Sequence, residues 1–265
     1  MAKSPSWLML DSVFGSPPQL FSSVPLAPPD PQASLRDQQR WLLDQRLAFG
    51  DDQGEMRFDS AELADEIGLT VNLTRFESRE LRQVFAHRAS FLLAGDMAFS
   101  AAAYMPLRAS TEEYSESTLE IPYVGSSRFW IEGREWFDRA GQQALYLPGQ
   151  ALDVETEHFN GLLFNLNPQK LVLTIAQESR RQVPIELAER WVQRPVPINL
   201  GDPRVLQQQR SLEIRLKQLA QYRGTGLGYA YGALALALEM QAYQCSARMI
   251  LVAMGCNPLT TNYCK

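Results

Sequence analysis

Hydrophobic and polar positions change their period twice along this chain. From about Thr70 to Asn165 apolar runs are short, β-branched and aromatic residues recur, and turn residues such as Gly95-Asp96, Gly133, Pro148-Gly149 and Asn160-Gly161 punctuate them. Phe129 and Ile131 alternate with Arg128, Trp130 and Glu132; Leu145 and Leu147 run into Pro148; Leu162, Phe164 and Leu166 follow Asn160-Gly161. A period of two with tight turns predicts antiparallel strands. Many such strands predict a sandwich or small barrel, with Phe129, Trp136, Leu145, Leu162 and Phe164 as interior residues. Before this stretch the spacing is helical. Ser34, with Asp37 three residues on, opens a predicted helix of about four turns through Leu35, Trp41, Leu42, Leu47 and Phe49, ended near Gly50. A second short helix runs from Ser60 to Ile67. After it, helical patterns return over Pro168 to Glu178, Pro184 to Trp191 and Asp202 to Tyr222. The fold class is therefore α+β: a small antiparallel β-barrel with N-terminal and C-terminal helices.

Composition divides the chain further. Seven of the sixteen prolines lie within the first 32 residues, so regular structure cannot propagate there, and residues 1–33 are predicted to be a flexible leader. Residues 34–200 form the barrel domain with its flanking helices. Residues 201–224 form a further helix whose apolar positions Val205, Leu212, Leu216 and Leu219 suit packing on the barrel or across a dimer axis. Residues 225–265 contain only Glu239, Arg248 and Lys265 as charges. They read as an atypical apolar tail without an obvious partner surface in the chain.

Thirty acidic and 25 basic residues give a formal charge of −5, which argues against a large nucleic-acid footprint. Cys245, Cys256 and Cys264 show no C-x-x-C spacing, so neither a disulfide framework nor a thiolate metal site is expected. The apolar run Trp7 to Leu10 is too short for a signal-peptide core. The run from Leu227 to Leu238 falls short of the roughly 18 residues of a membrane span. No membrane partner is expected, and a cytoplasmic location fits.

Chemistry is sparse. Asp153, Glu155 and Glu157 share one face of a strand while His158 points to the other, which splits the densest cluster. An inward His158 behind a solvated acidic face is the commoner arrangement. His87 and His158 are the only histidines, too few for an imidazole metal centre. No nucleophile motif occurs, and Gly224-Thr-Gly226-Leu-Gly228 follows a helix, which suits a linker better than a phosphate loop. No catalytic residue, metal or cofactor is expected. The aromatic inventory, with Ser127 and His158 as polar companions, suits an apolar pocket. Phe129, Trp136, Tyr146, His158 and Phe164 are its candidate ligand contacts.

The segments Leu119-Glu-Ile-Pro-Tyr-Val-Gly-Ser126, Phe129-Trp-Ile-Glu-Gly133, Gly141-Gln-Gln-Ala-Leu-Tyr-Leu-Pro-Gly149 and Gly161 to Leu171 resemble the N-terminal sensing domain of AraC-type transcription regulators. The likeness covers roughly residues 60 to 222. It implies a cupin-like barrel that binds a small-molecule effector or helps the protein form a homodimer, with helices leading to a DNA-binding half. In such a family about 100 further residues carry two helix-turn-helix units. Only some forty residues follow Tyr222 here, so the resemblance implies a truncated or frame-altered regulator that reaches DNA only through a C-terminal domain it lacks. A cupin-like enzyme, an isomerase or dioxygenase, is the alternative, disfavoured by the shortage of histidines. A structural or interaction protein is a third reading, and a barrel packed without any cavity would support it.

Overall fold

The computed structural model describes residues 29–30, 33–52, 54–79, 85–180, 182–223 and 228–256. The expected leader over 1–33 lies almost wholly outside these residues, as does the end of the chain after Cys256.

The N-terminal part is helical, as its spacing predicts. Helix α1 (Leu35–Asp44) starts at Ser34, whose hydroxyl accepts from the Asp37 amide. It is shorter than the four turns expected, because Gln45 is already extended. The physical reason is Arg88, a nearly buried side chain that donates to the carbonyls of Leu42, Leu43 and Gln45 and so takes up helix-end acceptors that a further turn would have used. Residues 47–49 then lie buried against the sheet. After strand β1 (Met56–Arg57) comes α2 (Ser60–Ile67), capped by Asp59.

Ten strands follow within the stretch where short apolar runs and turn residues predict them. They are β2 (Leu73–Ser78), β3 (His87–Ala94), β4 (Met97–Tyr104), β5 (Leu107–Thr111), β6 (Ser117–Val124), β7 (Ser126–Ile131), β8 (Arg134–Arg139), β9 (Gln143–Leu147), β10 (Leu152–Thr156) and β11 (Phe159–Leu166). All pairings are antiparallel, in the order β1-β3-β4-β11-β6-β9-β8-β7-β10-β5-β2. The sheet curls at the β8–β9 hairpin, so the half containing β4, β11 and β6 faces the half containing β7, β10 and β5. Close approach fixes one corner of this curl. A Cβ on Gly125, at φ +82°, would lie 1.9 Å from the carbonyl oxygen of His158, so only glycine fits there.

Helix α3 (Pro168–Glu178) opens with proline in its first turn behind an Asn167 cap, and α4 (Ile185–Val192) follows. A short strand that the sequence reading omits, β12 (Val196–Asn199), pairs with β9 at an edge, where its proline is tolerated. Helix α5 (Pro203–Gln221) matches the expected position, and α6 (Gly228–Ala253) is the longest helix among the described residues.

Two expectations are corrected here. The apolar segment after residue 225 has a partner surface within the chain, because α6 packs on α3, α5, β3 and β12. Polar contacts tether it: Tyr243 Oη accepts from the Asn167 amide at 2.9 Å, and Arg248 Nε meets Glu178 at 2.7 Å. Val205, Leu212, Leu216 and Leu219 of α5 are all buried in this intramolecular core, so they are not free to face a second copy. The residue types suited either use; only the neighbouring helix decides between them.

Burial separates two clusters. Phe129, Ile131, Leu145, Leu147 and Leu152 pack together between the facing halves of the sheet, with Trp136 against them. Leu162 and Phe164 belong instead to the main core that includes Leu171 and Leu251 of the helices. The expected barrel interior is thus right for Phe129, Trp136 and Leu145. It is wrong for Leu162 and Phe164, whose strand is buried on both faces and so gives alternation nothing to choose between. Phe164 stacks on Phe99 with ring centroids 5.2 Å apart. Replacing Phe164 by Ala should lower unfolding free energy by about 3–5 kcal/mol, measured by urea denaturation; a loss below about 1 kcal/mol would contradict this packing.

Candidate functional site

The facing halves of the sheet enclose a cavity of about 50 Å³. Tyr104, Leu163 and Leu147 line one wall, and Phe129, Val154 and Leu107 the other. That volume holds a few water molecules and falls short of the roughly 300 Å³ at which small-molecule sites begin.

Its polar groups sit together. On β6 the parity that sends Leu119 and Ile121 to the main core sends Thr118 and Glu120 into the cavity. The Ser127 hydroxyl of β7 donates to Glu120 Oε1 at 2.9 Å, and the Ser127 amide donates to Asp138 Oδ1 of β8 at 2.7 Å. Two carboxyl groups and one serine therefore join the halves of the sheet. Burial is the largest influence on both acids and raises both pKa values, and the Glu120 charge pushes Asp138 up further, well above the carboxylate range. Two buried carboxyls facing each other cannot both ionise cheaply, so the pair retains a proton where exposed acids have lost theirs.

Tyr114, in the β5–β6 loop, closes one end. Its hydroxyl lies 2.8 Å from Thr118 Oγ1 inside the cavity, and burial pushes its pKa up to about 12. Tyr114 also lines a larger outer groove between the barrel loops and the α3–α4 pair, about 720 Å³ in volume. One residue thus borders both spaces.

The five ligand contacts expected from sequence do not converge. Phe129 lines the cavity and Trp136 packs beside it. Tyr146 points to the main core and donates to the Val192 carbonyl at 3.0 Å, which fastens the end of α4 to β9. Phe164 lies in that same core. His158 is buried, but it lies in the bend between β10 and β11 rather than on a strand, and it packs edge-on against Trp41 of α1 with centroids 5.2 Å apart. Burial lowers the pKa of His158, and takes that of His87 down to about 4. Glu120 and Asp138 were absent from the sequence-based site. Their signal was present: Asp138 shares the parity of inward Trp136, and Glu120 that of Thr118.

Among the described residues, no three or more His, Cys, Asp or Glu side chains come together as a metal site, and no helix is long and apolar enough to cross a membrane. Cys245 is a free thiol whose pKa burial raises to about 11. Cys256 takes part in a disulfide, which the absence of a C-x-x-C spacing did not suggest.

No family model matches the chain, and no curated protein does. Among solved structures, the AraC-like transcriptional activator CuxR is similar to it at 8% identity and a TM-score of 0.47, over 71% of this chain and 65% of that one. The aligned part thus spans less than two-thirds of CuxR. A cupin-like protein from Thermotoga maritima aligns at 9% identity and a TM-score of 0.27, over 35% of this chain and 71% of that one. EutQ from Clostridium difficile aligns at 8% and 0.28, over 43% and 87%. At these identities the likeness lies in the course of the backbone, and no side chain acquires a role from it.

The buried carboxyl pair has a consequence for stability. Raised pKa values mean that, between the ordinary carboxylate range and the raised values, the folded protein holds a proton that the unfolded chain has released. Stability therefore falls as pH rises through that window, with a slope of up to about 1.4 kcal/mol per pH unit for one proton. Asp138→Asn should flatten this profile and gain on the parent protein as pH increases. Urea unfolding at several pH values checks it; parallel profiles for the two proteins would show that the pair does not hold the proton.

Proposed function

We propose that this chain is a non-catalytic, effector-sensing and dimerisation module of the AraC-type regulator kind, in which the state of the barrel is passed to the helical layer. The observation that carries this reading is the two-sided role of β6. One face places Thr118 and Glu120 in the cavity. On the other, Tyr123 meets Glu213 of α5; the tyrosine's own burial, and then the Glu213 charge, raise its pKa. Gln209 holds the same glutamate at 2.9 Å. A shift of β6 would thus act directly on α5, and α5 packs along α6.

Helix α6 supplies the output surface in this reading. Its N-terminal half exposes Tyr229, Ala233, Leu236 and Met240. Their spacing of four, three and four residues is that of a helix-pairing seam. Leu236 and Met240 are 60% and 66% exposed, large values for such side chains, while the opposite face of the same helix is fixed in the core. Pairing of two copies through this seam replaces the expected dimer contact on α5.

Two variants separate pairing from folding. Leu236→Glu should leave the melting curve within a few degrees of the parent and shift sedimentation equilibrium from dimer to monomer. Leu216→Glu, which buries an unpaired carboxylate between helices, should instead unfold the protein at a cost of several kcal/mol. Fused to a monomeric DNA-binding domain that represses a reporter only when paired, the parent module should repress and the Leu236→Glu module should not. A monomeric parent protein, or repression that survives Leu236→Glu, would overturn this reading of the seam.

A further inference from the structure

The outer groove is a preformed space of about 720 Å³, inside the range of small-molecule sites and far larger than the barrel cavity. Its barrel wall is rigid for a stated reason. A Cβ on Gly149 would sit 2.0 Å from the Tyr114 carbonyl oxygen and 2.5 Å from that of Glu116, so the β9–β10 loop and the β5–β6 loop are in direct backbone contact. The Tyr114 amide also donates to the Gly149 carbonyl at 2.8 Å. The opposite wall is α3 and α4, and the hydrogen bond from Tyr146 to Val192 sets the distance of α4 from the sheet.

The lining has a definite chemistry. Val172, Val192 and Pro148 give an apolar floor, and Leu173 and Ile185 stand 53% and 46% exposed at the rim. Glu113 and Glu189 are exposed carboxylates on opposite walls, and neither has an ion-pair partner among the described residues. Among the described residues, no lysine, arginine or histidine lines the space. The cations closest in sequence on these helices are turned elsewhere: Lys170 to Asp96 and Glu239, Arg190 to the Glu186 carbonyl, and Arg194 to the Met254 sulfur. The carbonyl end of α4 lies at Val192 and Gln193, where the helix dipole adds partial negative charge. Tyr114 also lines the groove, and its backbone carbonyl lies against Gly149 there.

We propose that this groove binds a small organic cation, an ammonium group carried on an apolar or aromatic body, with the ammonium between Glu113 and Glu189 and the body against Val172, Leu173 and Val192. An anion would meet two carboxylates and no counter-charge. A purely apolar ligand would leave both carboxylates unused and gain no specificity from them. The proposal goes beyond the regulator reading and stands independently of it, because it concerns binding to the purified chain.

The probe is benzyltrimethylammonium, with phenylacetate as the anionic counterpart, titrated into the full chain by calorimetry and by ligand-observed NMR at low salt. The cation should saturate a single site below about 10 mM while phenylacetate does not. The double variant Glu113→Lys/Glu189→Lys should weaken the cation by at least about tenfold. Glu55→Lys, an exposed charge reversal outside the groove, should leave it within about twofold. Both groove glutamates are exposed, so folding of the double variant is checked by an unchanged circular dichroism spectrum, and Leu173→Gln provides a second, charge-neutral variant that should also weaken binding. No saturation by the cation, equal binding of phenylacetate, or affinity unchanged in the double variant would each overturn the proposal. Loss of the groove site would leave the α6 seam untouched, and loss of the seam would leave cation binding untouched, so the two readings fail separately.

Discussion

Burial of the central strands on both faces is the constraint from which the rest of this structure follows. Every residue of β4 and β11 is buried, and all but one of β6. A strand of that kind needs one apolar layer on each side. The curled sheet supplies the inner layer by folding its other half over the cavity. The outer layer must come from helices, and α6 completes it together with α3 and α5. Seen this way, the low charge of the C-terminal segment is what a helix needs when much of its circumference is covered.

The same constraint explains the chemistry of the interior. With β6 enclosed, any polar side chain on its inner face has to find partners inside the protein. Glu120 finds Ser127, and Asp138 Oδ1 takes the Ser127 amide, so three polar residues from consecutive strands are joined where water is nearly excluded, with Asp138 Oδ2 left without a hydrogen-bond partner among the described residues. The cost of enclosing two acids is met by retaining a proton. This arrangement joins the two halves of the sheet by groups whose charge state matters. On its other face β6 meets α5, so the strand that carries the acid is also the strand that carries the tyrosine contact to the helical layer.

Space for ligands divides in a way set by packing. Large residues from both halves, Phe129 and Tyr104 among them, reduce the barrel cavity to about 50 Å³, while the joint between the barrel loops and the α3–α4 pair stays open. Tyr114 stands at the boundary, bordering both spaces with its hydroxyl on the inner side. A small polar interior and a wide amphipathic exterior are therefore neighbours through one residue.

Local rules determined much of this protein from sequence alone. Caps and breakers placed the start of α1 at Ser34, α3 behind Asn167-Pro168 and α5 behind Asp202-Pro203, because those signals act within one helical turn. Short runs and turn residues determined the antiparallel strands between 70 and 166. What only the tertiary structure decided was the destination of each apolar face. Phe129 and Phe164 look equivalent in sequence, yet one lines the cavity and the other stacks on Phe99 in the helix-covered core. In a strand covered on both sides the side-chain period no longer distinguishes inside from outside. Leu212 and Leu216 had the spacing of an interface, and α6 occupied it first. Glu120 and Asp138 lie 18 positions apart in the chain, and nothing local relates them until β6, β7 and β8 are folded against each other. A period reports that a face is buried; the partner that buries it is set by contacts between residues distant in the chain.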